Sequence, residues 1–296
     1  MKAPDKSDFP ALLTILCDQD TTQDPAGWTS ENPLHGHCAV VAVKAQEFFG
    51  GDLLRSSLLG TPFASMGSHY WNILPDGVEM DFTAGQFCGS RPLFPDAEIR
   101  SREYVLYDPR TGEQREIFSR YKLLSWRIAR TLSNENPLFD DDTYRCAYFA
   151  ALDSRCQKMK FGCVIKRSGL LRYVGHNDSI PELRSLCQPT CIRHAITSRT
   201  ESMLGACGHA EEHALWYLSR KLIPTTECEL YVAGVHMNGL PWLKTENVHT
   251  CLRCAVQMHH AGLKSVHVPV VDHWESLTTS EALETARAYA MQEKKV

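Results

Sequence analysis

The chain has 296 residues, a length that accommodates about two compact domains. Hydrophobic residues supply 43% of it and charged residues 22%, a globular balance that excludes wholesale disorder, collagen-like fibres and coiled-coil rods. Lysine plus arginine total 31 against 35 for aspartate plus glutamate, and a net charge of -4 gives no general grip on a phosphate polymer, so long nucleic acid is not the expected partner. What the composition leaves to be explained is 12 cysteines. The opening residues, MKAPDKSDFPALL, lack an uninterrupted apolar stretch of signal-peptide type, and no run of about 18 apolar residues suggests a membrane span. A cytoplasmic chain with reduced thiols is expected, most of them small buried hydrophobes and a minority nucleophiles or metal ligands.

In chain order, the first feature is Gly36-His37-Cys38, followed by an apolar helical run from Ala39 to Phe49 that Gly50-Gly51 stops. Cys38 therefore stands at a helix N-terminus, a place that suits an exposed nucleophilic sulfur. Ser68 to Leu74 and Val78 to Phe82 read as two strands joined by the turn Pro75-Asp76-Gly77. Pairing Leu74 with Val78 puts His69 opposite Thr83 and makes Asp81 its diagonal neighbour on the same face. Asp81 would then orient His69, and His69 would activate Cys38. The other reading, a buried Cys38 with His69 and Asp81 serving the sheet, stays open. The basic stretch Arg100 to Arg130 is explained by a mixed-charge face in water. Its end, Tyr121 to Leu132, spaces Leu123, Leu124, Ile128 and Leu132 as one face of a helix.

Ser133 to Pro137 and the acidic run Asp140 to Asp142 mark a domain boundary. Beyond it, Asp142-Thr143 caps a helix carrying Tyr144, Tyr148, Ala151 and Leu152. Lys160 to Lys166, Leu170 to Gly175 and Cys228 to Val235 read as strands, with Cys146, Cys156, Cys163 and Cys228 in their core. His209 and Glu211 open an apolar helix. Cys251 and Cys254 open another, which Gly262 ends before a strand from Leu263 to Pro269. A Cys-x-x-Cys turn delivers two thiolates to one ion, His209 supplies a third donor, and Glu211 is placed to move protons without occupying the metal. Zinc is the expected cofactor, bound by His209, Cys251 and Cys254. Cys187 and Cys191, with Cys207 or His194, are candidates for a second zinc, against ordinary reduced thiols. Arg193 and Arg199 are candidates for a 5′-phosphate contact, against solvated arginines. Trp242 and Lys244, in the segment His236 to His249, are placed to cover or select a substrate.

Residues 143 to 272 resemble the zinc-dependent cytidine/deoxycytidylate deaminases, through His209-Ala210-Glu211 and Cys251 to Cys254. The resemblance implies an α/β fold of three layers (α/β/α), hydrolytic deamination of a cytosine-like or related amino-heterocycle as nucleotide or small metabolite, and assembly into homo-oligomers. The stretch Gly175 to Pro181 with Cys187 to Arg193 is closest to the deoxycytidylate type, in which the residue matching Asn177 contacts the sugar. Thr250 and His213 stand where that family has proline and asparagine. Residues 9 to 130 weakly resemble YunG-like proteins and, more distantly, the α+β papain/transglutaminase fold, which implies a Cys-His-Asp hydrolase or transferase, or a recognition module. The organisation expected is 1–133, 140–275 and a helical tail 276–296. An RNA or DNA base deaminase, and a non-enzymatic zinc-stabilised binding protein, are the remaining alternatives.

Overall fold

Period-two and period-3.6 patterns alternate along the chain, and the computed structural model, which describes residues 2–94, 96–187, 191–195, 207–245 and 250–293, turns them into strands and helices of two units, Met1–Leu132 and Ser133–Val296.

The N-terminal unit contains α1 (Phe9–Leu16), α2 (Cys38–Phe49), β1 (Asp52–Ser57), β2 (Ser68–Ile73), β3 (Glu79–Met80), β4 (Glu98–Arg100), α3 (Arg102–Leu106) and α4 (Ile117–Leu132). Its sheet is antiparallel in the order β3-β2-β1-β4. Helix α2 packs on β2 and β1, with every residue from Cys38 to Ala45 buried. Lys44 belongs to that buried set because Glu47 neutralises it at 2.5 Å, and Glu47 also takes Arg102 at 2.5 Å and the Tyr121 hydroxyl at 2.6 Å. Gly36 sets the entry to α2: its φ is +72°, and a Cβ there would lie 2.3 Å from the Thr22 hydroxyl. On α4 the buried stripe runs through Ile117, Tyr121, Leu124 and Ile128, one turn earlier than the sequence suggests, while Leu123 and Leu132 stay partly exposed. The expected strand Val78 to Phe82 keeps only Glu79 and Met80. Its register is nonetheless the one read from the turn, with Asn72 opposite Met80 and the Leu74 N–H donating to the Val78 carbonyl. The ladder stops because Asp81 Oδ1 accepts from both the N–H and the hydroxyl of Thr83, a local turn that competes with strand pairing.

The C-terminal unit contains α5 (Asp142–Asp153), β5 (Lys160–Arg167), β6 (Leu170–His176), β7 (Asp178–Ser179), β8 (Cys207–Gly208), α6 (Ala210–Arg220), β9 (Cys228–Val235), β10 (Pro241–Trp242), α7 (Leu252–His260), β11 (Ser265–Val270), β12 (His273–Thr278) and α8 (Thr279–Glu293). The main sheet runs β12-β11-β9-β5-β6, with β10 added to β9, and β9 and β11 are its parallel pair. Alternation along β5 separates two layers of helices. Cys163 and Ile165 join Ala210, Ala214, Leu218, Cys254 and Met258 in one apolar cluster under α6 and α7. Gly162 points the other way, where a Cβ would lie 2.0 Å from the Ala147 carbonyl oxygen of α5, so glycine sets the closeness of that helix. The residues expected to form a peripheral tail do not all do so. β12 forms a hairpin with β11 across position 275, and Ala282 and Ala286 of α8 are buried, because this amphipathic end covers the sheet beside α7.

Candidate metal centre and a Cys-His-Asp constellation

Two helix N-termini create the metal centre. His209 is the N-cap of α6 and Cys251 the N-cap of α7. His209 Nδ1 lies 3.2 Å from Cys254 Sγ and 3.3 Å from Cys251 Sγ, and all three donor atoms lie within 4.8 Å of one another. Zinc bonds of about 2.0 Å to nitrogen and about 2.3 Å to sulfur place such donors about 3.5 Å apart around a tetrahedral ion, so one imidazole and two thiols at these distances fit zinc. The Cys254 hydrogen bond is the main influence drawing the Cys251 thiol down to about 4; burial opposes it and His209 assists. Helix-start N–H groups favour the same ionised sulfur, the Cys254 N–H donating to Cys251 Sγ at 3.3 Å. Glu211 is buried on the first turn of α6, and burial, reinforced by the negative charge of Cys251, lifts its carboxyl above the ordinary glutamate range. A carboxyl that binds a proton more readily than usual, beside a metal-ligating set, suits proton transfer.

Glu212 is a site residue that the sequence reading missed. Only 1% exposed, it accepts the His209 N–H at 2.8 Å, Arg253 Nε at 2.5 Å and Gln257 Nε2 at 2.7 Å. One carboxylate thus caps α6 and clamps it to α7, fixing the histidine against both cysteines. Burial opposes its charge, yet the His209 N–H and Arg253 hold it ionised. The signal was present as a glutamate at the third helical position and an arginine inside Cys-x-x-Cys. Glu212→Ala is expected to weaken zinc binding about 10- to 100-fold, measured by competition with a chromophoric chelator.

Around this centre the other sequence-selected residues take varied places. Asn177 is buried, and its amide is committed to backbone: Oδ1 accepts from the Phe161 N–H at 2.6 Å and Nδ2 donates to the Met159 carbonyl at 3.0 Å. His213 packs over Gly208, where a Cβ would approach its ring to 2.3 Å, and its ring lies 5.2 Å from that of Trp216. The Thr250 hydroxyl is buried without a hydrogen-bond partner among the described residues. Trp242 meets Phe161 edge-on at 5.7 Å, with the Lys244 ammonium 5.4 Å from the indole centre. Arg193 lies in the short turn Ile192–Ala195, while Arg199 and residues 246–249 fall outside the described residues. Cys163 and Cys228 are core, as expected, but Cys146 and Cys156 are only partly buried.

In the N-terminal unit, β2 and the turn after β3 bring His69 and Asp81 together, with Nε2 2.9 Å from Asp81 Oδ2. Thr83 holds the other carboxylate oxygen, and Arg91 Nε donates to Asp81 Oδ2 at 3.0 Å. His69 is fully buried against Trp71 and Phe94, whose rings lie 5.6 and 5.1 Å from its own and 4.7 Å from each other. Burial opposes its positive charge, but Asp81 and then Cys38 overcome this and raise the imidazole to about 9. Gln86, also missed from the sequence, puts Nε2 3.1 Å from His69 Nδ1 and is buried. Its polar side chain within a 3-10 turn just after Asp81-Phe82-Thr83 was the available signal. Cys38 opens α2 but is only 4% exposed, its Sγ 3.9 Å from the Ser68 carbonyl oxygen. A helix start displays a sulfur only when nothing covers it, and here β2 does.

Comparisons with known proteins divide the chain in the same way. Residues 6–133 match the YunG protein family, and residues 139–270 match the cytidine and deoxycytidylate deaminase zinc-binding region. The uncharacterized protein YunG of Bacillus subtilis (strain 168) is 33% identical over 99 residues, which cover 32% of this chain and 76% of that protein. No described helix is long and apolar enough to cross a membrane. Through residues 6–133 the chain belongs to the YunG family, and its residues 139–270 match the cytidine and deoxycytidylate deaminase zinc-binding region.

Proposed function

We propose that the C-terminal unit hydrolytically deaminates a cytosine-like or related amino-heterocycle, carried by a free nucleotide or small metabolite, with the deoxycytidylate type closest in motif. The observation that carries this reading is the position of Glu211, buried on the first turn of α6, beside the donor set His209, Cys251 and Cys254. Held by those three residues, zinc would supply Lewis-acid activation of water. Glu211 accepts the proton that water gives up as its oxygen bonds to the ring carbon bearing the amine. It passes that proton to the adjacent ring nitrogen, then takes the second proton from the hydroxyl now on the carbon and gives it to the amine, which leaves as ammonia as the carbon–nitrogen bond breaks and the carbonyl forms. The Asn177 amide bonds the Phe161 N–H and the Met159 carbonyl, and in this reading the second lone pair of its Oδ1 would accept from a sugar hydroxyl. All 12 cysteines are unpaired, which supports a reducing, cytoplasmic setting.

The test is zinc-dependent ammonia release from cytidine, deoxycytidylate, guanine and pterin-like compounds supplied to the full chain. Release from at least one, lost on chelation and restored by zinc, is the expected result. Release only from an unpaired base within RNA or DNA would move the assignment to the polymer, and binding without release would reduce the unit to a zinc-stabilised binding module.

A second reading concerns the N-terminal unit and rests on the His69–Asp81 bond with Cys38 beside the imidazole. It is a thiol-dependent amide hydrolase or transferase of papain/transglutaminase type, in which Cys38 is the nucleophile, His69 its base and Asp81 the orienting group.

A further inference from the structure

The Cys-His-Asp constellation of the N-terminal unit is shut. His69 is fully buried and Cys38 is 4% exposed, so neither meets a substrate until something covering them moves. Most of the cover is regular structure: His69 lies within β2, paired with Ser56 of β1, and α2 packs against both strands. One piece of the cover is not. The chain leaves the 3-10 turn Ala84–Phe87 through Cys88 and Gly89, at φ +49° and +84°, and runs from Arg91 to Phe94 as coil. Among the described residues, no backbone group of Arg91 to Phe94 makes a hydrogen bond to another backbone group.

Two side chains hold this strap in place. Arg91 Nε donates to Asp81 Oδ2 at 3.0 Å, the same oxygen that meets His69 Nε2; the Asp81 side chain is 7% exposed and that of Arg91 42%. Phe94 sets its ring 4.7 Å from Trp71, 5.1 Å from His69 and 6.2 Å from Phe87. The Arg91 guanidinium carbon also lies 4.9 Å from the centre of the Phe94 ring, so each anchor supports the other. Leu93, between them, is 92% exposed. Beneath Phe94 the slot is formed by other elements: Trp71 and His69 belong to β2, and Phe87, which meets His69 edge-on at 4.9 Å, belongs to the 3-10 turn. A residue on unladdered coil thus fills an aromatic slot whose walls are fixed by ladder and turn.

We propose that Arg91 to Phe94 are a built-in stand-in for the ligand of this unit, and that the slot they fill binds a peptide or peptide-like amide carrying an aromatic ring and a cationic group. The chemistry of the slot names both. Trp71, His69 and Phe87 offer ring faces and edges to a flat apolar group, and the Asp81 carboxylate at their side takes a cation. Strap and ligand compete for one place, the strap at an effective concentration of about millimolar. An amide that lacks the ring or the cation does not displace it, and the imidazole stays covered. What the slot is for rests on the thiol-enzyme reading of this unit; the slot itself rests on the contacts of Phe94 and Arg91.

The probe is the strap's own sequence as a free peptide, acetyl-Arg-Pro-Leu-Phe-amide, titrated calorimetrically into the full chain. It should bind a chain carrying both Arg91→Ala and Phe94→Ala at least about tenfold more tightly than the wild type, because the tethered competitor is gone. The same peptide with alanine in place of its phenylalanine should lose that gain. Equal affinity for the two folded chains, or binding to neither, overturns the proposal. Arg91→Ala alone serves where the double variant does not fold, since that side chain is at the surface. Diethylpyrocarbonate should then modify His69 at least about tenfold faster in Arg91→Ala than in the wild type; equal rates overturn the proposal. Tight peptide binding with Cys38 inert to iodoacetamide would remove the nucleophile and leave the slot standing as a recognition site. Cys38 labelling that neither the peptide nor the substitutions change, with no gain in peptide affinity, would remove the slot and leave the nucleophile.

Discussion

Replacing Glu211 by glutamine is expected to slow ammonia release about 10²- to 10⁴-fold while the zinc content stays unchanged. Glutamine matches glutamate in volume and keeps the first turn of α6 packed, but it cannot accept a proton from water or return one to the leaving amine. The surroundings make this replacement a clean one. Glu211 is buried and is not among the three gathered donors, and the clamp that shapes the site belongs to its neighbour Glu212. Removing the proton carrier should therefore leave the metal set intact. The loss should appear in kcat with little change in KM, because the proton moves only as the carbon–oxygen bond forms and the carbon–nitrogen bond breaks. Turnover within a few-fold of wild type, at full zinc occupancy, would falsify the proton-shuttle role. The contrasting variant Cys254→Ser should lose zinc and activity together.

The parts of this molecule legible in its sequence are those set by local periodicity or by ligand spacing. His209 and Cys251 stand at helix starts because apolar residues recur at helical intervals behind them, and the Pro75-Asp76-Gly77 turn fixes the register of β2 against β3. Tertiary interactions without a local pattern were not legible. Glu212 looks like one more acidic residue in a helix start until Arg253 and Gln257 arrive from more than 40 positions away. Cys156 lies in an apolar pattern and reads as core, yet Ser154, Lys158 and Met159 form a polar setting around it. The short β3 reflects a contest between strand pairing and the Asp81–Thr83 turn, and the side chain that wins that contest is also the one that holds His69.

The N-terminal unit carries the second large expected effect. Iodoacetamide should label Cys38 in the wild-type chain, and Asp81→Asn should slow that labelling at pH 8 by about tenfold or more. Asp81 is the leading partner that keeps the His69 imidazole protonated up to about 9 against the cost of burial. Without its charge, burial meets less opposition and the imidazole gives up its proton at lower pH, so less positive charge faces the Cys38 sulfur at pH 8. The same linkage reaches stability. The folded value lies above the ordinary imidazole value of 6.5, so the stabilisation from protonated His69 is fully present below pH 6.5 and is lost as pH rises through about 9. Thermal unfolding of the wild type should therefore weaken over that interval, and the Asp81→Asn chain should show a flatter profile. Peptide mapping separates Cys38 from Cys88, which is exposed and should react in every variant. Because Cys38 is covered by β2, labelling also reports whether the sulfur becomes accessible in solution. A wild-type chain labelled only at exposed cysteines, with the same pH dependence of unfolding in wild type and Asp81→Asn, would make His69 and Asp81 a buried structural pair and remove the nucleophile from the N-terminal unit.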